Sequence, residues 1–82
     1  MGKVATLFKV YTEQGKEEPV LKEIKEKTKP NSVQLEEIAF GIKVIKAMYI
    51  HEDSDGSEKY ETRLKQIPGV NEVEVAEESL IS

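Results

Sequence analysis

One acidic segment places the single histidine of the chain beside carboxylates that could bind a metal ion. His51 is followed by Glu52, Asp53 and Asp55, which brings an imidazole and three carboxylates close together in the sequence. Their spacing matches no defined metal site, and a calcium-binding EF-hand loop needs a longer regular pattern with a distal glutamate. We therefore predict a solvated turn over residues 51–56 rather than a metal centre.

Covalent catalysis has few candidate residues in this chain. The sequence contains no cysteine and one histidine, and no serine stands in a G-x-S-x-G motif. The five glycines are scattered, so neither a phosphate-binding loop nor a dinucleotide fingerprint is present. The lack of cysteine also excludes a thiolate metal site. We expect neither an enzyme in the ordinary sense nor a bound cofactor.

Charge and aromatic content argue against nucleic-acid binding. The net charge is −4, whereas a protein that neutralises many phosphates usually carries a basic face. RNA-binding versions of small α+β folds stack bases on exposed aromatic side chains of their central strands. The strand around Tyr49 offers that aromatic alone, and alternation assigns it to the buried face. We expect no direct nucleic-acid partner.

The stretch Ile38-Ala39-Phe40-Gly41-Ile42-Lys43 lies near the middle of the chain, where two apolar strand-like runs meet. Phe40, beside Gly41, either turns inward and packs or turns outward and docks on another molecule. The periodicity supplies a core without Phe40, and this favours docking. That predicted core contains Phe8, Ile24, Ile45, Leu64 and Val73.

The end of the chain, Glu77 to Ser82, is predicted to be a tail. Leu80 and Ile81 are apolar at a terminus where no periodic pattern requires apolar residues. Two alternatives follow for this pair: they fold back on the sheet, or they insert into a partner.

Hydrophobic periodicity predicts six secondary-structure elements. Alternation with a period of two indicates strands, and apolar residues at i, i+1 and i+4 indicate helices with one buried stripe. The elements are a strand over Val4–Tyr11, a helix with Glu17, Glu18 and Pro19 at its start that ends near Thr28, strands over Val33–Phe40 and Ile42–Ile50, a helix from Ser57 to Ile67, and a short strand over Val70–Val75.

Local features refine these elements. Val4, Thr6, Phe8 and Val10 are predicted to share the core side of the first strand. The alternation of the second strand changes parity near residues 36–37, which predicts a β-bulge there. We also predict that Ser57 is the N-cap of the second helix.

The order β-α-β-β-α-β predicts a single α+β domain over residues 1–82. A four-stranded antiparallel sheet with both helices on one face is the economical two-layer packing, and it corresponds to the ferredoxin-like fold. The first and third strands are then central. No apolar run is long enough to span a membrane, and the N-terminus lacks a signal-peptide core. We expect a cytoplasmic protein.

The chain resembles a known family over essentially its whole length. The I-A-F-G motif at residues 38–41, the strand that follows it, and the ending Ile67-Pro68-Gly69-Val70 with Val73-Glu74-Val75 carry the resemblance. The opening residues 1–6 with Lys9-Val10 are similar too. These features are similar to translation elongation factor 1-beta in its short archaeal form, a stand-alone version of the exchange domain of the larger eukaryotic subunit.

The resemblance implies an activity, a partner and a set of site residues. The activity is guanine-nucleotide exchange on elongation factor 1-alpha, with no covalent chemistry. The Phe40–Gly41 pair, flanked by Ala39 and Lys43, is implied to dock on the second domain of that partner. The C-terminus is implied to reach the Mg²⁺ and phosphate region of its first domain, and Glu77, Glu78, Leu80 and Ile81 would form that contact.

One position departs from the family pattern. Leu80 stands about where eukaryotic members place a lysine that disturbs the Mg²⁺ site, and the residues before it are acidic. Our hypothesis is that Phe40 anchors the chain while Glu77 or Glu78 competes for Mg²⁺ or for the phosphate-site lysine. The alternative function is a small ferredoxin-like module that binds RNA or a ligand without driving exchange.

Overall fold

A computed structural model describes residues 2–81 of the chain, and its elements follow the predicted order. The elements are β1 (Lys3–Thr12), α1 (Glu17–Lys27), β2 (Ser32–Ala39), β3 (Ile42–Glu52), α2 (Glu58–Lys65) and β4 (Val70–Leu80). Three of the strands, β1, β3 and β4, are longer than the periodicity indicated, because pairing continues past the last alternating apolar residue. The second strand keeps its predicted length but begins and ends one residue earlier, so Phe40 lies in the turn rather than in the strand.

The four strands form one antiparallel sheet in the order β2-β3-β1-β4. β1 and β3 are central, as the sequence predicts, and their register joins Lys3 to Glu52 at one end and Tyr11 to Val44 at the other. The second strand has a register shift between Glu37 and Ala39. The predicted bulge is therefore present, one residue later than the parity change indicated.

Both helices cover one face of this sheet, and the core lies between the two layers. The predicted core side chains are all buried there, and Tyr49 packs among them. The ring of Tyr49 stacks on Tyr60 at 4.6 Å and meets the edge of Phe8 at 5.7 Å between ring centroids. The main cluster contains Phe8, Val10, Val20, Ile24, Ile45, Ala47, Tyr49, Leu64, Ile67 and Val73.

The end of α1 connects the helix to the core. Thr28 is its C-cap residue, and the Thr28 hydroxyl donates a hydrogen bond to the Ile24 carbonyl at 2.7 Å. The same hydroxyl oxygen accepts the phenolic proton of Tyr49. Burial raises the pKa of Tyr49, because ionisation would place a charge inside the core.

The prediction for the start of α2 is half right. Ser57 occupies the N-cap position, but its side chain makes no capping hydrogen bond. Its backbone has φ −75° and ψ −12°, which is already helical. A capping side chain normally needs an extended N-cap backbone in order to reach the N–H groups of the first turn.

Two boundary predictions were wrong. The solvated turn does not begin at His51, because β3 continues through Glu52 and His51 is buried. The tail does not begin at Glu77, because β4 continues through Leu80 along β1. In both places backbone pairing extends a strand whose side chains are too polar for the alternation to reveal it.

Among residues 2–81, neither helix is long and apolar enough to cross a membrane.

Candidate docking site

The turn between β2 and β3 presents Phe40 at the tip of a hairpin. Ala39 pairs with Ile42, so Phe40 and Gly41 alone form the connection. Gly41 has φ +74°, a conformation that glycine adopts at little cost. A Cβ added at Gly41 would meet no atom within 4 Å, so the requirement for glycine is conformational rather than steric. The Phe40 side chain is fully exposed, with a relative accessibility of 104%.

A side chain of β2 holds this turn in place. The Gly41 N–H donates a hydrogen bond to Glu37 Oε2 at 3.1 Å. Ile38, next to Glu37, lies at the register shift and is half exposed. The tip is therefore a fixed turn with an apolar side chain at its end.

Lys43 and Ala39 lie beside the tip, and both are exposed. Lys43 also lines an open cleft of about 230 Å³ together with Phe40, Gly41 and Ile42. The segment between β1 and α1 forms the other wall of this cleft. The structure thus brings together all four residues of the predicted hairpin site.

The C-terminal residues form the opposite end of the sheet. Glu77 pairs with Leu7, Glu78 with Thr6 and Leu80 with Val4, and the Ile81 N–H donates to the Lys3 carbonyl at 2.9 Å. Of the two alternatives for the apolar pair, the backbone therefore follows the first and folds onto the sheet. The side chains of Leu80 and Ile81 nevertheless remain 68% and 50% exposed.

The two glutamates of this segment face opposite sides of the sheet. Glu78 lies on the helix-covered side, where its Oε2 accepts a hydrogen bond from the Thr6 hydroxyl at 3.0 Å. Glu77 lies on the open side and lines an apolar cleft of about 200 Å³ with Leu7, Met48 and Ile81. Both side chains are exposed, but they differ in direction: Glu78 is tied to β1 on the helix-covered side, and Glu77 lies on the open face.

Exposed large apolar side chains concentrate at the two ends. Those at the hairpin end are Ile38, Phe40 and Ile42, and those at the C-terminal end are Ile50, Leu80 and Ile81. The eight residue steps between the end pairs of β1 and β3 correspond to about 26 Å at roughly 3.3 Å per residue. Clustered apolar exposure of this kind is typical of interaction surfaces.

Sequence reasoning missed a buried polar pair near the C-terminal end. His51 is only 7% exposed, and its Nε2 lies 2.8 Å from the hydroxyl oxygen of Thr6, which is fully buried. The alternation of β1 had placed Thr6 on the core side, and this was the available signal. No group of three metal-ligating side chains within residues 2–81 is arranged to hold a metal ion.

The order and pairing of the elements define the fold class of this chain. A four-stranded antiparallel sheet with two helices on one face, in the order β-α-β-β-α-β, is the ferredoxin-like arrangement. The family model described as EF-1 guanine nucleotide exchange domain matches residues 9–81. The chain belongs to this family. No curated protein matches the chain significantly.

Proposed function

We propose that this chain is a guanine-nucleotide exchange factor that promotes GDP release from elongation factor 1-alpha, so that GTP can bind during translation elongation. Family membership supports the class of activity. The structural observation that carries the proposal is the fully exposed Phe40 on a turn fixed by Glu37 and Gly41. The core cluster does not include Phe40, so packing does not explain why a large apolar side chain stands at this position.

Exchange follows from a difference in affinity between two states of the partner. GDP is held by backbone amides, a lysine and Mg²⁺. A factor that bound the GDP-bound and nucleotide-free forms equally well would shift no equilibrium, however tightly it bound. The chain must therefore make contacts that only the nucleotide-free form accepts.

The two ends of the sheet suit two different tasks. Phe40 is proposed to dock, with Ala39, Gly41 and Lys43, on the second domain of the partner in either nucleotide state. The C-terminal end, about 26 Å or more away, would reach the nucleotide-binding domain of the same partner. Docking at one end then places the other end at a high effective concentration.

Glu77 is the better of the two carboxylates for the second task. Its side chain is exposed on the open face, whereas Glu78 accepts a hydrogen bond from Thr6. Glu77 is proposed to compete for Mg²⁺ or for the phosphate-site lysine, with Leu80 and Ile81 packing beside it. This arrangement differs from insertion of a lysine, because Leu80 occupies that position.

The test is the release of fluorescent GDP from elongation factor 1-alpha at increasing concentrations of the intact chain. We expect release to accelerate and to saturate. Release at the spontaneous rate, with no binding to the nucleotide-free partner, would contradict the proposal. Salt-sensitive RNA binding in that case would instead favour the alternative binding module.

A further inference from the structure

Three hydrogen bonds connect the centre of the sheet to the end of β4. His51 Nε2 lies 2.8 Å from Thr6 Oγ1, and Thr6 Oγ1 lies 3.0 Å from Glu78 Oε2. The other ring nitrogen, His51 Nδ1, lies 3.0 Å from the carbonyl oxygen of Glu52. The chain of contacts therefore crosses three strands, from β3 through β1 to β4.

The protons in this series of hydrogen bonds can be assigned from the two groups at its ends. The Glu52 carbonyl and the ionised Glu78 carboxylate can only accept hydrogen bonds. Thr6 has a single hydroxyl proton, and the contact with Glu78 uses it. Both ring nitrogens of His51 must then donate, one to Thr6 and one to the Glu52 carbonyl. All three bonds exist together only when the imidazole carries two protons.

A neutral ring breaks one of the three bonds. If Nδ1 keeps its proton, Nε2 becomes an acceptor, so the Thr6 hydroxyl turns to His51 and leaves Glu78. If Nε2 keeps the proton instead, a nitrogen lone pair faces the lone pairs of the buried Glu52 carbonyl. The first arrangement costs less, because the exposed Glu78 carboxylate can bind water. Loss of a proton from His51 therefore releases Glu78.

The surroundings of the ring contain negative charge where this assignment places a positive one. Asp53 and Asp55 of the turn, Glu58 of α2 and Glu78 of β4 line one open cleft of about 230 Å³ with His51. From α2, the Tyr60 ring lies 5.5 Å from the imidazole between centroids, and Lys59 Nζ lies 5.2 Å from that Tyr60 ring.

We propose that His51 and Thr6 are positioning residues for nucleotide exchange. They hold the Glu78 side chain and so fix the last residue pairs between β4 and β1. These pairs position Glu77 and Ile81 for contact with the partner. The hold is proton-linked: protonated His51 keeps Glu78 bound, and neutral His51 releases it. This inference rests on the proposed exchange function for its consequence, but the hold itself can be tested on the isolated chain.

The first experiment uses nuclear magnetic resonance on the intact chain and needs no partner. We expect amide protection at residues 78–81 to fall as the pH is raised from about 5.5 to about 8.5. The Thr6→Val variant should lack this step, and Thr6→Ser, which keeps the hydroxyl, should retain it. Thr12→Val is the matched control on β1, because Thr12 Oγ1 has no hydrogen-bond partner to lose. A step that persists in Thr6→Val would overturn the inference.

The second experiment compares GDP release driven by Thr6→Val with release driven by the intact chain at each pH. Using this ratio removes the partner's own pH dependence. At low pH we expect release with Thr6→Val to be about threefold slower than release with the intact chain, as for loss of one partly exposed hydrogen bond. At high pH we expect the two rates to be equal. A ratio that does not change with pH contradicts the positioning role. If the intact chain drives no release at any pH, the proposed function is wrong. The magnetic resonance experiment still tests whether His51 and Thr6 hold Glu78.

Discussion

Replacing Phe40 with alanine should separate docking from folding. The side chain is fully exposed and contributes nothing to the core, so its removal forfeits no buried apolar area. We expect the free energy of unfolding to change by less than about 0.5 kcal/mol, as for other surface substitutions. The contrast is Phe8, the other phenylalanine, which is fully buried and should cost about 3–5 kcal/mol when truncated to alanine.

The effect on binding should be much larger. A docked phenylalanine buries on the order of 150–200 Å², which corresponds to about 4–5 kcal/mol at ~25 cal/mol per Å². Ordering of the side chain and its partner pocket reduces this by about 1–1.5 kcal/mol. The remaining ~3 kcal/mol lies in the range of interface hot spots and corresponds to a loss of affinity of about 150-fold.

The assay should show a particular kinetic pattern. Phe40 is proposed to dock equally on both nucleotide states, so it supplies uniform binding energy. We expect Phe40→Ala to raise the chain concentration needed for half-maximal GDP release, with the maximal rate unchanged. Val75→Ala is the matched control, since Val75 is also an exposed apolar residue but lies between the two ends of β4. A normal half-maximal concentration for Phe40→Ala, or a large drop in its melting temperature, would refute the docking argument.

Three further predictions address other parts of the structure. Gly41→Ala should lower stability by about 1 kcal/mol, because the +74° φ is unfavourable for alanine, and unchanged denaturant unfolding would contradict this. Glu77→Gln should lower the maximal rate of GDP release and leave the half-maximal concentration unchanged, whereas equal rates would exclude Glu77 from the exchange step. Burial raises the folded-state pKa of Tyr49. The contribution of the neutral phenol to the free energy of unfolding is therefore complete below about pH 10, and it is lost as the pH rises through the folded-state pKa. Tyr49→Phe should therefore cost about 1 kcal/mol at neutral pH through the lost bond to Thr28 and lose less stability at alkaline pH, as measured by urea unfolding at several pH values.

The parts of the fold that bury apolar side chains were predictable from the sequence. β1 alternates between buried and more exposed residues, and β3 does so from Ile45 onward, because one face of each strand packs under the helices. This alternation placed Tyr49 and Thr6 correctly. The hairpin at Gly41 was predictable for a different reason, since glycine after a strand marks a tight reversal.

The end of β4 was not predictable in this way. β4 is an edge strand, and its residues from Glu74 to Leu80 are exposed. Its pairing with β1 is made by backbone groups, which carry no side-chain signature. Glutamates at an exposed edge are also typical of strands that avoid unwanted pairing with other chains. The segment therefore read as a polar tail although it completes the sheet.

The hydrogen bonds around His51 depend on that same pairing. Only the register that brings Glu78 opposite Thr6, and Thr6 beside His51, turns three separate polar residues into a connected chain. In the sequence, Thr6 and Glu78 are 72 positions apart. A local pattern therefore gave no sign of this contact, and His51 was assigned to a turn.

The most direct test of the proposed function compares two dissociation constants of the intact chain. One is measured with elongation factor 1-alpha in its nucleotide-free form, and the other with the same protein saturated with GDP. We predict tighter binding to the nucleotide-free form, by the same factor by which the chain weakens GDP binding, because the two effects are thermodynamically linked. Equal dissociation constants would contradict the account, since a ligand that binds both states equally well cannot drive exchange.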